Sequence, residues 1–109
     1  MHELGLVQEV IEILSQASRG RKVSRVVLEI GKLSAVLPDA VRFCFDLAAE
    51  GTPAEGATLS IVETPGLARC RACGATLELS RPFGRCSCDC TDLEWMAGEE
   101  FKIREMEVV

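Results

Sequence analysis

Cys70-Arg71-Ala72-Cys73-Gly74 and, thirteen positions after its second cysteine, Cys86-Ser87-Cys88-Asp89-Cys90 decide how this chain is organised. Two thiolates separated by two residues can face one metal ion across a tight knuckle, and a glycine after the second cysteine permits the left-handed backbone of such a turn. The gap between the groups leaves room for a short hairpin, out along Leu77–Leu79 and back through Pro82-Phe83-Gly84. Two cysteine groups joined by a hairpin form the zinc-ribbon plan, a closed four-thiolate site that is structural rather than catalytic. The second group has no C-x-x-C, so Cys86/Cys88, Cys88/Cys90 and Cys86/Cys90 all remain open as its pair. Asp89 tolerates positive φ better than Thr91, which favours Cys70, Cys73, Cys86 and Cys88, with Cys90 as an alternative fourth ligand.

The cysteine groups lie in a stretch, residues 65–95, that opens on Pro65-Gly66 and balances its charges. Arg69, Arg71, Arg81 and Arg85 stand against Glu78, Asp89, Asp92 and Glu94. A segment of about thirty residues cannot build a self-sufficient apolar core. The metal is expected to hold it together.

Outside it the pattern is that of an ordinary α+β domain. Leu4, Val7, Val10, Ile11, Leu14 and Ala17 recur at helical spacing over residues 4–18, with Gly20 as a stop signal. Residues 23–31 read as a strand, with Val26, Leu28 and Ile30 on one face and Arg25 and Glu29 on the other. Pro38 and Gly51 bracket a second helix over 38–50. On it Cys44 reads as a small buried hydrophobe. Residues 57–63 and 100–108 complete the strands. In the last, alternation changes parity between Phe101/Ile103 and Met106/Val108, as a bulge or a strand leaving the sheet would require. The expectation is therefore two helices packed on a three-stranded mixed sheet, residues 1–64 plus 96–109, with a zinc-ribbon module inserted at 65–95.

Composition narrows the function. The chain has 109 residues, 12 Lys+Arg against 17 Asp+Glu, a formal net charge of -5, six cysteines and one histidine. One histidine excludes a zinc enzyme built on several imidazoles, and an acidic total with 5% aromatics disfavours nucleic-acid binding. No signal peptide and no membrane-spanning run is visible, so the chain reads as cytoplasmic. Reduced thiols then favour metal binding over disulfides. The histidine is residue 2, where imidazole, terminal amine and the amides of residues 2 and 3 can meet in one plane suited to Ni(II) or Cu(II).

The whole chain resembles the HypA/HybF family of hydrogenase nickel-incorporation proteins. The resemblance rests on Met1-His2-Glu3-Leu4, the stretches 25–34, 41–46 and 54–57, the cysteine module, and 98–108 at the end. It implies a nickel metallochaperone rather than an enzyme. Ni(II) would bind at Met1, His2 and Glu3, and structural Zn(II) at two cysteine pairs. The first pair maps onto Cys70 and Cys73. The second maps onto Cys86 counted forward from Cys73 and onto Cys88 counted back from Leu93 and Gly98, one residue short. The implied partners are a hydrogenase-maturation GTPase, the large subunit of a nickel-iron hydrogenase and, in some members, urease maturation proteins. Neither nucleic acid nor membrane is among them, and the chain is expected as a monomer or homodimer. The rival classes are a zinc-ribbon adaptor that never handles nickel and a rubredoxin-like iron carrier.

Overall fold

The computed structural model describes residues 2–109. The described chain runs α1 (His2–Ala17), β1 (Val23–Gly31), α2 (Pro38–Ala49), β2 (Thr58–Thr64), β3 (Gly66–Cys70), β4 (Thr76–Leu79), β5 (Leu93–Ala97) and β6 (Phe101–Val108). The strands form two sheets, a mixed one in the order β2-β1-β6 and an antiparallel one in the order β4-β3-β5. This is the expected α+β architecture.

The chain divides into two compact units. One holds the chain through Leu28, Val36–Val62 and Ile103–Val109. Within it α1 and α2 pack against each other. Val7, Val10, Ile11 and Leu14 of α1 are buried, as are Val41, Cys44, Phe45 and Ala49 of α2. Each set follows helical spacing, so the apolar stripe is what drives each helix onto its neighbour. The helices end as their sequences require. α1 stops in a left-handed turn at Arg19 and Gly20, whose φ values are 55° and 77°. There the Gly20 amide donates to the Ser15 carbonyl at 3.2 Å. α2 begins on Pro38, where a missing N–H costs nothing, and Gly51 follows it with φ 74°. Cys44 is buried, as its place on the apolar face predicts. Arg25, on the polar face of β1, pairs with Glu107 at 2.9 Å and Glu105 at 3.6 Å. In β6 the half-buried positions are Phe101, Ile103 and Met106, so burial changes parity where the sequence does.

The second unit comprises Glu29–Ala35 and Glu63–Lys102. β3 is its central strand, and Gly66, Ala68 and Cys70 alternate inward. The small core consists of Leu33, Ala68 and Leu79, with Leu77 and Leu93 packed against it. One core residue, Leu33, thus comes from the turn after β1. Glycines permit close backbone crossings here. A Cβ on Gly31 would collide with the Gly98 carbonyl, and one on Gly98, whose φ is 110°, would come 2.5 Å from the Gly66 Cα. Glu100 ties the same region. Its carboxylate accepts from the Thr64 hydroxyl at 2.6 Å and from the Gly98 amide at 2.9 Å. Those two donors hold the carboxyl below its usual range, the hydroxyl first.

The hairpin expected through Pro82–Gly84 has a different partner. β4 does occupy the gap between the cysteine groups, but it pairs backward with β3, from Gly66↔Leu79 to Arg69↔Thr76. β5 covers the other side of β3. Neither β3 nor β5 stood out in the sequence.

Candidate metal centres

The turn between β3 and β4 builds the first half of the thiol cluster. The Cys70 amide donates to the Ala75 carbonyl at 2.8 Å, and the Gly74 amide donates to the Cys70 carbonyl at 2.9 Å. Gly74 takes φ 76°, a backbone that a side chain would strain. The Cys70 sulfur accepts from the amides of Cys73 and Ala72, and the Cys73 sulfur from the Ala75 amide. The second half repeats the device without a glycine. The Asp89 amide donates to the Cys86 carbonyl at 2.8 Å, the Cys86 amide donates to the Cys90 carbonyl at 2.9 Å, and Asp89 takes φ 72°. Asp89 therefore supplies the positive φ that Gly74 supplies in the first half. The sulfurs of Cys86 and Cys88 accept from the amides of Cys88 and Cys90 respectively.

The four sulfurs of Cys70, Cys73, Cys86 and Cys88 all lie within 4.8 Å of one another. Cys70 and Cys88 are 3.6 Å apart and Cys73 and Cys86 3.5 Å. Four thiolates about 2.3 Å from a tetrahedral zinc ion would be separated by about 3.8 Å, so this donor set fits Zn(II). Cys90 stands outside the cluster. Its sulfur accepts from the Asp92 amide at 3.3 Å and lies 3.8 Å from the Asp92 carbonyl.

Electrostatics lead to the same cation. The Cys73 amide, ahead of the other contacts, pulls the Cys70 thiol down to about 6. The Cys88 amide, helped by the Cys73 thiol, lowers Cys86. The Cys90 amide also pulls on Cys88, but the neighbouring sulfurs of Cys70 and Cys86 outweigh it and push Cys88 up to about 12. At Cys73 the Ala75 amide is likewise outweighed by the sulfurs of Cys86 and Cys70, and the net direction is upward. Four negative sulfurs this close repel one another, and a divalent cation removes the conflict.

The sole histidine lies in the other unit. His2 opens α1 with its side chain 56% exposed. Its Nε2 is 3.2 Å from the carboxylate of Glu3, a side chain only 9% exposed. In the neutral ring, Nε2–H donating to that carboxylate leaves Nδ1 with its lone pair. The first amides of a helix have no acceptor four residues back, so the N–H groups of residues 2 and 3 are not consumed by α1. Met1, the third residue expected at this site, lies outside the described residues. Among the described residues no helix is long and apolar enough to cross a membrane.

A groove of about 460 Å³ on the second unit was not anticipated from the sequence. Pro82, Phe83, Gly84, Thr91, Leu93 and Trp95 line it. Phe83 and Trp95 appear in the chain as isolated aromatics, and only the return of β5 alongside β3 gives them a common surface.

Comparison with known proteins gives a consistent result. The family model described as "Hydrogenase/urease nickel incorporation, metallochaperone, hypA" matches residues 1–108. The hydrogenase maturation factor HypA of Trichormus variabilis is 55% identical over 108 residues, covering 99% of this chain and 96% of that protein. That of Nostoc sp. is 56% identical over 108 residues with the same coverage. That of Geobacter sulfurreducens is 42% identical over 109 residues, covering 99% of both chains. The solution structure of the Ni metallochaperone HypA from Helicobacter pylori superimposes with a TM-score of 0.68 at 22% identity, covering 98% of this chain and 97% of that one, a likeness of fold.

Proposed function

This chain belongs to the HypA family of hydrogenase and urease nickel-incorporation metallochaperones, and we propose that it takes up Ni(II) through Met1, His2 and Glu3 and delivers it to the large subunit of a nickel-iron hydrogenase. Proteins of this family are metallochaperones and not enzymes. The observation that carries the proposal is the placement of His2. It is exposed at the start of α1, with Nε2 against Glu3, so that Nδ1 and the unused helix amides are offered together. Nitrogen donors in one plane suit Ni(II), and the displaced amide protons together with the Glu3 carboxylate offset the positive end of the helix. Cargo delivery needs a site that lets go. Protons compete with nickel for these nitrogens, so acidification promotes release.

Zn(II) at Cys70, Cys73, Cys86 and Cys88 supplies cross-linking of the small second unit and no reaction. The working partners are a maturation GTPase and the hydrogenase large subunit in the cytoplasm, with urease maturation proteins as further clients. In this reading residues 1–64 and 96–109 handle nickel and residues 65–95 hold zinc.

The test is nickel titration of protein with a native, untagged N-terminus. Wild type binds one labile nickel in addition to zinc, His2→Ala loses it while keeping zinc, and wild-type nickel weakens from neutral to mildly acidic pH. Undiminished nickel binding by His2→Ala overturns the proposal. Salt-dependent RNA or DNA binding without nickel uptake would replace it with the adaptor reading.

A further inference from the structure

We propose that the groove between Pro82-Phe83-Gly84 and the Leu93/Trp95 face of β5 is a docking site for an acidic peptide segment that carries an apolar anchor side chain. The groove holds about 460 Å³, room for one large side chain and its neighbours. Phe83 is 80% exposed and Trp95 39%, and the two aromatic side chains line one groove.

The groove is built into the unit rather than hung on a loose loop. A Cβ on Gly84 would collide with a methyl of Leu79, so this wall rests directly on the small core. Leu93 packs against that core, and Trp95, two residues along β5, shares its face.

Charge names the occupant. Arg81 and Arg85 bracket the Pro82–Gly84 wall in sequence, and both are exposed. Among the described residues neither has an acidic partner at ion-pair distance, while Arg85 reaches only the Asp89 carbonyl, at 3.5 Å. Of the nearby acids, exposed Asp89 meets Arg85 only through its backbone carbonyl, and two others are engaged elsewhere. Asp92 is paired with Arg71 at 3.1 Å. Glu94 lies between Leu93 and Trp95, so strand alternation puts it on the opposite face, where it stands in register with Arg69. In a chain of net charge -5 this sets two exposed arginines without ion pairs directly beside the groove-lining Pro82–Gly84 segment in sequence. Two free guanidinium groups suit carboxylates, which they can grip in bidentate fashion. They are few for tracking a polyphosphate backbone. The occupant is therefore a protein segment with acidic residues flanking a large apolar one. The site uses neither His2 nor a thiol and does not depend on the nickel proposal.

Trp95 is the only tryptophan, so its emission reports occupancy directly. Zinc-loaded full-length protein is panned against a displayed random peptide library. The enriched peptides are synthesised and titrated while tryptophan fluorescence is read, with single-stranded oligouridylate as a parallel probe. The expected peptides are acidic with an aromatic or large aliphatic anchor. They shift Trp95 emission, weaken with salt, and lose affinity by about tenfold or more to Arg81→Glu/Arg85→Glu and to Phe83→Ser. Zinc content and nickel titration of those variants stay at wild-type values, which separates a lost groove from a lost fold. The proposal is overturned if no peptide is enriched, if enriched peptides are basic, or if they bind the double variant as well as wild type. Salt-sensitive quenching by oligouridylate alone would assign the groove to nucleic acid instead.

Discussion

The sulfurs of Cys73 and Cys86, thirteen positions apart in the chain, stand 3.5 Å from each other, while Cys90, four positions further on, directs its sulfur to the Asp92 amide. The four-thiol cluster is thus closed by a Cys86-Ser87-Cys88 pair, one residue tighter than the first knuckle, with Asp89 at φ 72° completing the turn. Cys88→Ser is expected to lose stoichiometric zinc, whereas Cys90→Ser keeps it. Metal analysis of the two purified variants decides the assignment, and equal loss in both would contradict it.

Zinc uptake is expected to release fewer than four protons from the four cysteines at pH 7.5. Cys70, pulled down to about 6, is already a thiolate there, whereas Cys88, pushed up to about 12, must give up its proton to the metal. Zinc affinity therefore rises with pH. Calorimetry in buffers of different ionisation enthalpy counts the protons, and release of all four would contradict the charge distribution.

Glu100 makes the second unit sensitive to acid. Its carboxyl is depressed by the Thr64 hydroxyl and then the Gly98 amide, so its contribution is present above the ordinary value of 4.5 and is lost as pH falls through the lower folded value. Between pH 6 and pH 3 the urea midpoint of wild type should fall more steeply than that of Glu100→Gln. Parallel curves would remove Glu100 from the account.

Gly98→Ala is expected to destabilise the second unit by at least about 2 kcal/mol, since the new methyl meets the Gly66 backbone and φ 110° is strained for any side chain. Faster zinc loss to a chelator and lowered amide protection in β3 are the readouts. Gly5→Ala is the control, because a Cβ there meets nothing within 4 Å.

In the helical unit, Phe45→Ala should cost about 3–5 kcal/mol, because a fully buried ring leaves a cavity. Ile13→Ala, at a position 53% exposed on α1, should cost less than about 1 kcal/mol. Chemical denaturation of the two variants tests the contrast.

Much of this was legible locally. Helical spacing placed α1 and α2, because the stripe Val7, Val10, Ile11 and Leu14 is a periodic signal carried by large side chains. β3 and β5 were not legible for the opposite reason. β3 packs inward with Gly66, Ala68 and Cys70, which are too small to register as an apolar strand. β5 is short, and its Leu93 and Trp95 look like isolated hydrophobics until a partner strand lies beside them. Along the chain Arg81 and Arg85 stand with Arg69 and Arg71 in a local arginine cluster within a balanced charge count. Their freedom depends on which acids Arg71 and Arg69 face.

The sequence by itself determined the element order, the cysteine-rich insertion, the lone histidine at position 2 and the resemblance to a family, because spacing and residue type are local properties of a chain. Tertiary structure decided what depends on distance between remote segments. It brought Cys86 and Cys88 rather than Cys90 to the first pair, enlisted Leu33 in the core of the second unit, stacked Gly31, Gly66 and Gly98 backbone to backbone, and gave Phe83 and Trp95 one surface. Thiolate repulsion, close packing and strand register are all set by angstroms across space, and no reading along the chain contains those distances.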